Sequence, residues 1–290
     1  MIHVLTAHFQ TDRWIEIQIR YLARNLDRPY RVVADLENVN GDVGERFDVA
    51  TDLSAEEGIS LSHQDKLNRL ADLVGEEAPS DDVLMFLDGD AFPIAPVGDL
   101  VEERLAEFPL AAVRRDESLG DMQPHPSFCV TTVGFWREIG GDWSRGPDWT
   151  WTNSQGREVE DVGGKLLWTL RERGIEWSPL LRTNRHNLHP VLFAVYEDRV
   201  YHHGAGFRPV FERTDRQVAG FVPPLPSWLP PEPPPSRIGR AAWKVRAKLW
   251  YLRDKRGLVR REERLRSVNR MLSDRVFERI RDDPTFYRTL

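Results

Sequence analysis

Five short runs in the first half of the chain, Ile2–Ala7, Tyr30–Asp35, Val83–Leu87, Leu110–Val113 and Phe128–Val133, read as strands, and several are apolar almost without interruption. A strand with no alternation of wet and dry residues must be covered on both faces. Helical spacing lies between them. Trp14, Ile17, Tyr21 and Leu22 recur one turn apart after Asp12, a residue able to cap that helix, and Leu67, Leu70 and Val74 share one face of a helix from His63 to Val74. Further on, the pattern predicts a helix near Asp161–Arg173 and strands near Ile175–Leu181, Val191–Tyr196 and Arg199–His202. Strand alternating with helix predicts an α/β fold, an open sheet with helices on both faces.

A proline block interrupts this pattern. Eight of the 13 residues from Pro223 to Pro235 are proline, a composition that favours extended polyproline conformation and excludes helix or central strand. We therefore expect a catalytic domain over 1–222, a linker over 223–235 and a helical extension over 236–290, with helices at Ile238–Asp254 and Leu258–Ile280. Charge divides at the same place. Residues 236–290 carry 17 Lys/Arg against 7 Asp/Glu, whereas the remainder carries 23 against 39. An acidic body bears a basic tail.

No run approaches the roughly 18 apolar residues that a membrane-spanning helix requires. His8, Asp12 and Arg13 interrupt the apolar N-terminal run too early for a signal sequence, so Ile2–Ala7 is expected to be a buried strand. Cys129 is the single cysteine, which excludes an intrachain disulfide and a cysteine-rich metal site. The expected compartment is the cytoplasm, with the inner face of the membrane as a place of peripheral attachment.

The segment with the most chemical content is Val83-Leu84-Met85-Phe86-Leu87-Asp88-Gly89-Asp90-Ala91-Phe92-Pro93-Ile94. An apolar strand ends in two carboxylates separated by one glycine, at the carboxyl end of the sheet where open α/β folds bind ligands. Oxygen donors of this kind suit Mn²⁺ or Mg²⁺, with substrate phosphates completing the shell. Gly89 would let a diphosphate approach the backbone closely.

At Phe86-Leu87-Asp88-Gly89-Asp90 the sequence resembles nucleotide-sugar-dependent glycosyltransferases of the GT-A fold, in which a strand ending in Asp-x-Asp holds the metal that grips the donor diphosphate. The resemblance implies an open mixed, mainly parallel sheet, with Asp90 as direct ligand and Asp88 facing the ribose or the water shell of the metal. A second match is Tyr201-His202-His203-Gly204-Ala205-Gly206-Phe207-Arg208-Pro209. It resembles the His-x-x-Gly-x-x-Lys-Pro-Trp ending of the retaining glycogenin-like and bacterial galactosyltransferase group, one residue shorter, with Arg for Lys and without the Trp. By position His203 completes the metal shell, His202 being the other candidate, and Arg208 holds the diphosphate.

The same resemblance places the nucleotide against Thr6, Ala7, His8 and Phe9 at the end of the first strand. It lets Lys66 reach the nucleotide sugar, although a solvated helix lysine is the plainer alternative. Glu160 and Asp161 open a helix where these enzymes carry acceptor-facing acids; one would be a general base in an inverting enzyme, while carboxylates also occur there simply as caps. Between these sites Trp136, Trp143, Trp149 and Trp151 interleave with Asp142, Asp148, Asn153 and Gln155. Flat rings beside polar groups suit a carbohydrate acceptor, for which Trp143, Trp149 and Trp151 are the candidates, and buried rings pinning a loop are the alternative.

The expected activity is metal-dependent transfer of a hexose from a nucleoside diphosphate sugar to a hydroxyl of a carbohydrate or lipid-linked acceptor. The His203–Pro209 resemblance favours retention of configuration. A sugar nucleotidyltransferase would need a glycine-rich loop after the first strand, and His8–Arg13 has no glycine. An aspartyl phosphatase would carry its Asp-x-Asp after the first strand. A non-catalytic carbohydrate-binding or interaction module remains the alternative from another class. In the tail, Trp243, Ala247, Trp250 and Tyr251 share a helix face with Lys244, Arg246 and Lys248 elsewhere. That pattern serves packing on the acidic body, a homodimer contact or an anionic membrane surface; nucleic acid is not an expected partner.

Overall fold

The computed structural model describes all residues except 118–119, 154–157, 187–188, 190–191 and 208–232, together with the side chains of 250–251, 253–259 and 261–262. Seven strands form the main sheet: β1 (Ile2–Phe9), β2 (Tyr30–Glu37), β3 (Val49–Thr51), β4 (Val83–Leu87), β6 (Leu110–Val113), β7 (His125–Thr132) and β10 (Ser178–Leu180), in the order β10-β6-β7-β4-β1-β2-β3. All neighbouring pairs are parallel except those of β7, which runs antiparallel to β4 and β6. The sheet is the open, mixed, mainly parallel one that the GT-A resemblance implies.

Uninterrupted apolar strands feed two cores at once. On β4, Met85 and Leu87 point into one cluster and Leu84 and Phe86 into the other; on β1, Val4 and Leu5 divide the same way. The first face is covered by α1 (Ile15–Asn25), through Ile15 and Leu22, and by α4 (Gly98–Glu107), through Val101. The second face is covered by α2 (Leu53–Glu57), α3 (His63–Glu77), α5 (Val133–Ile139) and α6 (Gly164–Glu172). Leu67, Leu70, Ala71 and Val74 form the buried stripe of α3. Its start is fixed by a capping box, in which Ser62 Oγ accepts from the Asp65 amide and Asp65 Oδ2 accepts from the Ser62 amide. The expected Asp12 cap of α1 is not formed by its side chain. Ile15 N instead donates to the Asp12 carbonyl, and Trp14 occupies the cap position.

A second sheet of three antiparallel strands, β11 (Ala194–Tyr196), β12 (Val200–His202) and β5 (Ala91–Pro93), lies at the carboxyl end of β4. Two short strands, β8 (Trp151–Thr152) and β9 (Glu158–Val159), pair separately. Among the described residues after the proline block, a single α-helix, α7, runs from Arg237 to Asp282. Two helices were expected; the lone Gly257 between them costs only about 1 kcal/mol in a helix interior, and strong helix formers flank it.

Contacts divide the chain into two compact units, 1–208 with 278–290, and 209–277. Most of the proline block and Arg208 lie outside the described residues. In the second unit Ile238, Val245, Leu249 and Leu252 are exposed, and spacings of seven, four and three place them on one helix face. This aliphatic stripe lies opposite the face expected from Trp243 and Ala247, both of which are partly covered; the side chains of Trp250 and Tyr251 fall outside the described residues. No described helix is long and apolar enough to cross a membrane.

The last residues belong to the first unit. Phe286 is buried, with its ring against Tyr21, Phe92 and Tyr201, and the Leu290 carbonyl accepts from the Arg185 and His186 amides. Phe286→Ala should therefore destabilise the first unit by about 3–5 kcal/mol. Thermal melting is expected to record a fall of roughly 10 °C; an unchanged melt would show that the terminal segment is dispensable to this unit.

Candidate functional site

The site is assembled by one antiparallel pairing. β5 begins immediately after Asp90 and pairs with β12 in the register Ala91↔His202, Phe92↔Tyr201 and Pro93↔Val200. The pairing brings two histidines, more than a hundred residues downstream, to the Asp-x-Asp strand end. Successive strand residues point to opposite faces, so the two histidines part company. His202 Nε2 lies 3.4 Å from Asp90 Oδ1 and 3.6 Å from Asp88 Oδ2. The donor atoms of Asp88, Asp90 and His202 all fall within 4.8 Å of one another. Two carboxylates and one imidazole at that separation fit a Mn²⁺ or Mg²⁺ ion that keeps positions for other ligands.

His203 was the ligand that the resemblance implied, and the structure gives it different company. It is wholly buried, its Nδ1 meets the Tyr201 hydroxyl at 2.9 Å, and its ring packs on Trp14 and Phe193. Burial lowers its pKa to about 3, so it remains a neutral ring. His202 behaves oppositely. Burial opposes its charged form, but Asp90 and Asp88 outweigh that and raise its pKa. Burial would raise the pKa of Asp90, yet His202 and the Gly206 amide, which donates to Oδ2 at 2.8 Å, hold it well below the usual carboxylate range. His63, at the start of α3, places Nε2 2.9 Å from Asp88 Oδ1 and fixes the second carboxylate.

Gly89 is also required by the packing of the chain around it. A side chain there would lie 2.7 Å from the Ala7 carbonyl and 2.7 Å from the Phe207 ring; the close approach is between parts of the chain itself. At the end of β1, Thr6 and His8 are buried, Ala7 nearly so and Phe9 partly. Among the described residues Thr6 Oγ1 and His8 Nδ1 have no hydrogen-bond partner. His8 Nε2 contacts Gln18 Oε1, and burial lowers the pKa of His8 to about 4. Gln18 in turn donates to the carbonyls of Asp88 and Ala91, tying α1 to the Asp88–Ala91 turn.

Lys66 is neither solvated nor directed outward. Its ammonium is buried against Asp35, at 3.0 Å, and against Glu37, with the Phe9 ring beneath it. Two carboxylates at the end of β2 already engage its charge, so it carries no spare cation for a donor sugar. Arg208 lies outside the described residues.

Of the expected acceptor residues, Trp143 is a core side chain, enclosed by Phe86 and Trp136. Trp151 is buried against the first turn of α6. The sequence pattern misled here because a tryptophan pinning a loop and one facing a sugar have the same spacing. Trp149 is partly exposed, with Lys165 Nζ over its ring. Glu160 is exposed, and Asp161 Oδ2 receives Arg115 Nη2 at 2.5 Å. Asp161 does not cap α6, whose cap residue is Gly163 without a side-chain bond; it accepts from its own neighbour, Val162 N.

Arg115, Asp121, Gln123, His125 and Ser127 also belong to this region and were missed in the sequence. Arg115 is shared by Asp121 and Asp161. The His125 ring centre is 6.2 Å from that of His202, and burial followed by Arg115 keeps His125 neutral. The signal was present as polar residues at every second position on the approach to an apolar strand, Asp121-x-Gln123-x-His125-x-Ser127.

No protein-family model matches this sequence, and no curated protein matches it. Similar solved structures include the galactosyltransferase LgtC in complex with donor and acceptor sugar analogues, at 13% identity and TM-score 0.41 over 78% of this chain and 98% of that one. Another is the apo form of the glycosyltransferase GlyE of Streptococcus pneumoniae, at 16% identity and TM-score 0.36 over 61% of this chain and 44% of that one. Mouse xyloside xylosyltransferase 1 in its apo form is a third, at 10% identity and TM-score 0.31 over 48% of this chain and 69% of that one.

The division of labour between the two histidines is testable with the metal alone. His202→Ala should weaken Mn²⁺ binding by about tenfold or more, whereas His203→Phe, which keeps a ring against Trp14, should stay within about threefold of wild type. Electron paramagnetic resonance of free Mn²⁺ reads both; the reverse ranking would restore His203 as the ligand.

Proposed function

We propose that this chain is a glycosyltransferase that moves a hexose from a nucleoside diphosphate sugar to a hydroxyl acceptor, with a divalent cation held by Asp88, Asp90 and His202. The observation that carries the reading is the convergence of those three side chains at the carboxyl ends of parallel strands, where such sheets take nucleotides. A bound Mn²⁺ or Mg²⁺ would supply charge neutralisation for the departing diphosphate. Asp90 is poised for that role because the Gly206 amide donates to its Oδ2, and His63 orients Asp88.

The end of β1 offers the nucleoside a floor. Among the described residues Thr6 Oγ1 and His8 Nδ1 are unpartnered polar atoms there, and neutral His8, whose Nε2–H goes to Gln18 Oε1, presents Nδ1 as an acceptor without a charge to desolvate. On the acceptor side Arg115 engages Asp161, which leaves Glu160, exposed and adjacent, as the carboxylate free to hydrogen-bond acceptor hydroxyls. Retention of configuration is the proposed stereochemical course, on the strength of the His-x-x-Gly-x-Arg-Pro resemblance. The acceptor is a glycan or a lipid-linked sugar; the exposed aliphatic stripe of α7, with Lys244, Arg246 and Lys248 on the same helix, suits an acceptor presented at an anionic bilayer.

Calorimetry with uridine, guanosine and thymidine diphosphates and their hexose conjugates, in the presence of Mn²⁺, tests the reading. At least one conjugate should bind and be slowly hydrolysed. Asp90→Asn should reduce that hydrolysis by about 100-fold or more while the melt moves by no more than about 2 °C. Absence of binding across the panel would refute the assignment.

A further inference from the structure

Four polar side chains at every second position, Asp121, Gln123, His125 and Ser127, are all buried. Three are located by what they meet. Asp121 holds Arg115, which holds Asp161 in front of α6. His125 lies beside His202. Ser127 is one residue beyond the Leu87↔Phe128 pair of β4 and β7, at the level of Asp88. Gln123 therefore sits between the carboxylate–histidine cluster and the acidic start of α6. Its Cγ is 3.4 Å from where a side chain on Gly163 would begin, and Gly163, with a left-handed backbone at φ +87°, lets the Pro124 carbonyl pack directly on the start of α6.

Among the described residues neither the amide nitrogen nor the amide oxygen of Gln123 has a hydrogen-bond partner, and Ser127 Oγ shares that condition. A carboxamide can make four hydrogen bonds, and a buried polar group left without any costs about 1–3 kcal/mol. Leucine or methionine would fill the same volume without that loss. Fold stability therefore gives no reason for a glutamine here, and a residue that breaks the packing rule beside a site points to a ligand that completes it.

We propose that Gln123, with Ser127 in the same row, hydrogen-bonds the hydroxyls of the transferred sugar and so selects a neutral, fully hydroxylated hexose. The inference rests on the transferase reading. Neighbouring hydroxyls of a hexose offer a donor and an acceptor side by side, which matches the carboxamide. A deoxy sugar leaves one of its atoms unpaired, and a site built to hydrogen-bond a hydroxyl discriminates strongly against its absence. A carboxylated sugar finds no compensating charge in Arg115, which two carboxylates already share.

The test uses Gln123→Leu and Gln123→Met in the full-length chain, with Mn²⁺ and the same panel of nucleoside diphosphates and hexose conjugates. Both variants should melt about 2–5 °C higher than wild type, because an unpaired amide is removed. Both should bind the sugar-free nucleoside diphosphate within about twofold of wild type and lose roughly tenfold or more in kcat/KM for the hexose conjugate. A stabilised variant with undiminished kcat/KM would overturn the proposal, as would a destabilised variant that loses the sugar-free nucleotide as well. Wild-type protein that binds no nucleoside diphosphate at all would instead remove the transferase reading beneath it, and this inference with it.

Discussion

The antiparallel pairing of β5 with β12 is the constraint on which the candidate site depends. Asp88 and Asp90 are local to one turn, but two carboxylates alone make a poor cation site, and the third donor comes from a distant strand. The backbone bonds that set Ala91 against His202 decide which of two consecutive histidines faces the carboxylates. The partner strand is held in turn by aromatic packing, Tyr201 against Phe92, and both against Phe286 from the last turn of the chain. The chemistry at residue 90 therefore depends on residues near 202 and near 286, three places far apart in sequence and joined by one cluster of rings.

Electrostatics then separate groups of the same type. His202 and His203 are neighbours with opposite fates: carboxylates raise the pKa of the first, and apolar burial lowers that of the second to about 3. Carboxylates divide in the same way. Asp90 is held ionised and available, whereas Asp35, whose pKa burial raises, is committed with Glu37 to buried Lys66. Removing one member of the Lys66 group would leave an unpaired buried charge, which makes it part of the scaffold beneath the carboxyl end of the sheet.

Much of this was legible in the sequence. Apolar runs such as Ile2–Ala7 and Val83–Leu87 can only be strands buried on two faces, and the sheet follows from them. Asp88-Gly-Asp90 is legible because its chemistry is contiguous. What was not legible depends on long-range register or on burial. Whether His202 or His203 turns inward is a question of strand parity after some 110 intervening residues. Trp143 as a core ring and Trp149 as a partly exposed one share a composition and differ only in packing. Lys66 offered a helical position and a charge, but its two carboxylate partners come from another strand. The row from Asp121 to Ser127 had a visible period of two, obscured by the prolines at 124 and 126.

The most direct measurement of the account is a crystal structure of the wild-type chain with Mn²⁺ and a nucleoside diphosphate, with anomalous data collected above the manganese edge. The account predicts one strong anomalous peak roughly 2.0–2.4 Å from carboxylate oxygens of Asp88 and Asp90 and from His202 Nε2, with the diphosphate completing the shell. A peak ligated by His203 in place of His202, or bound nucleotide with no metal between Asp88 and Asp90, would contradict it.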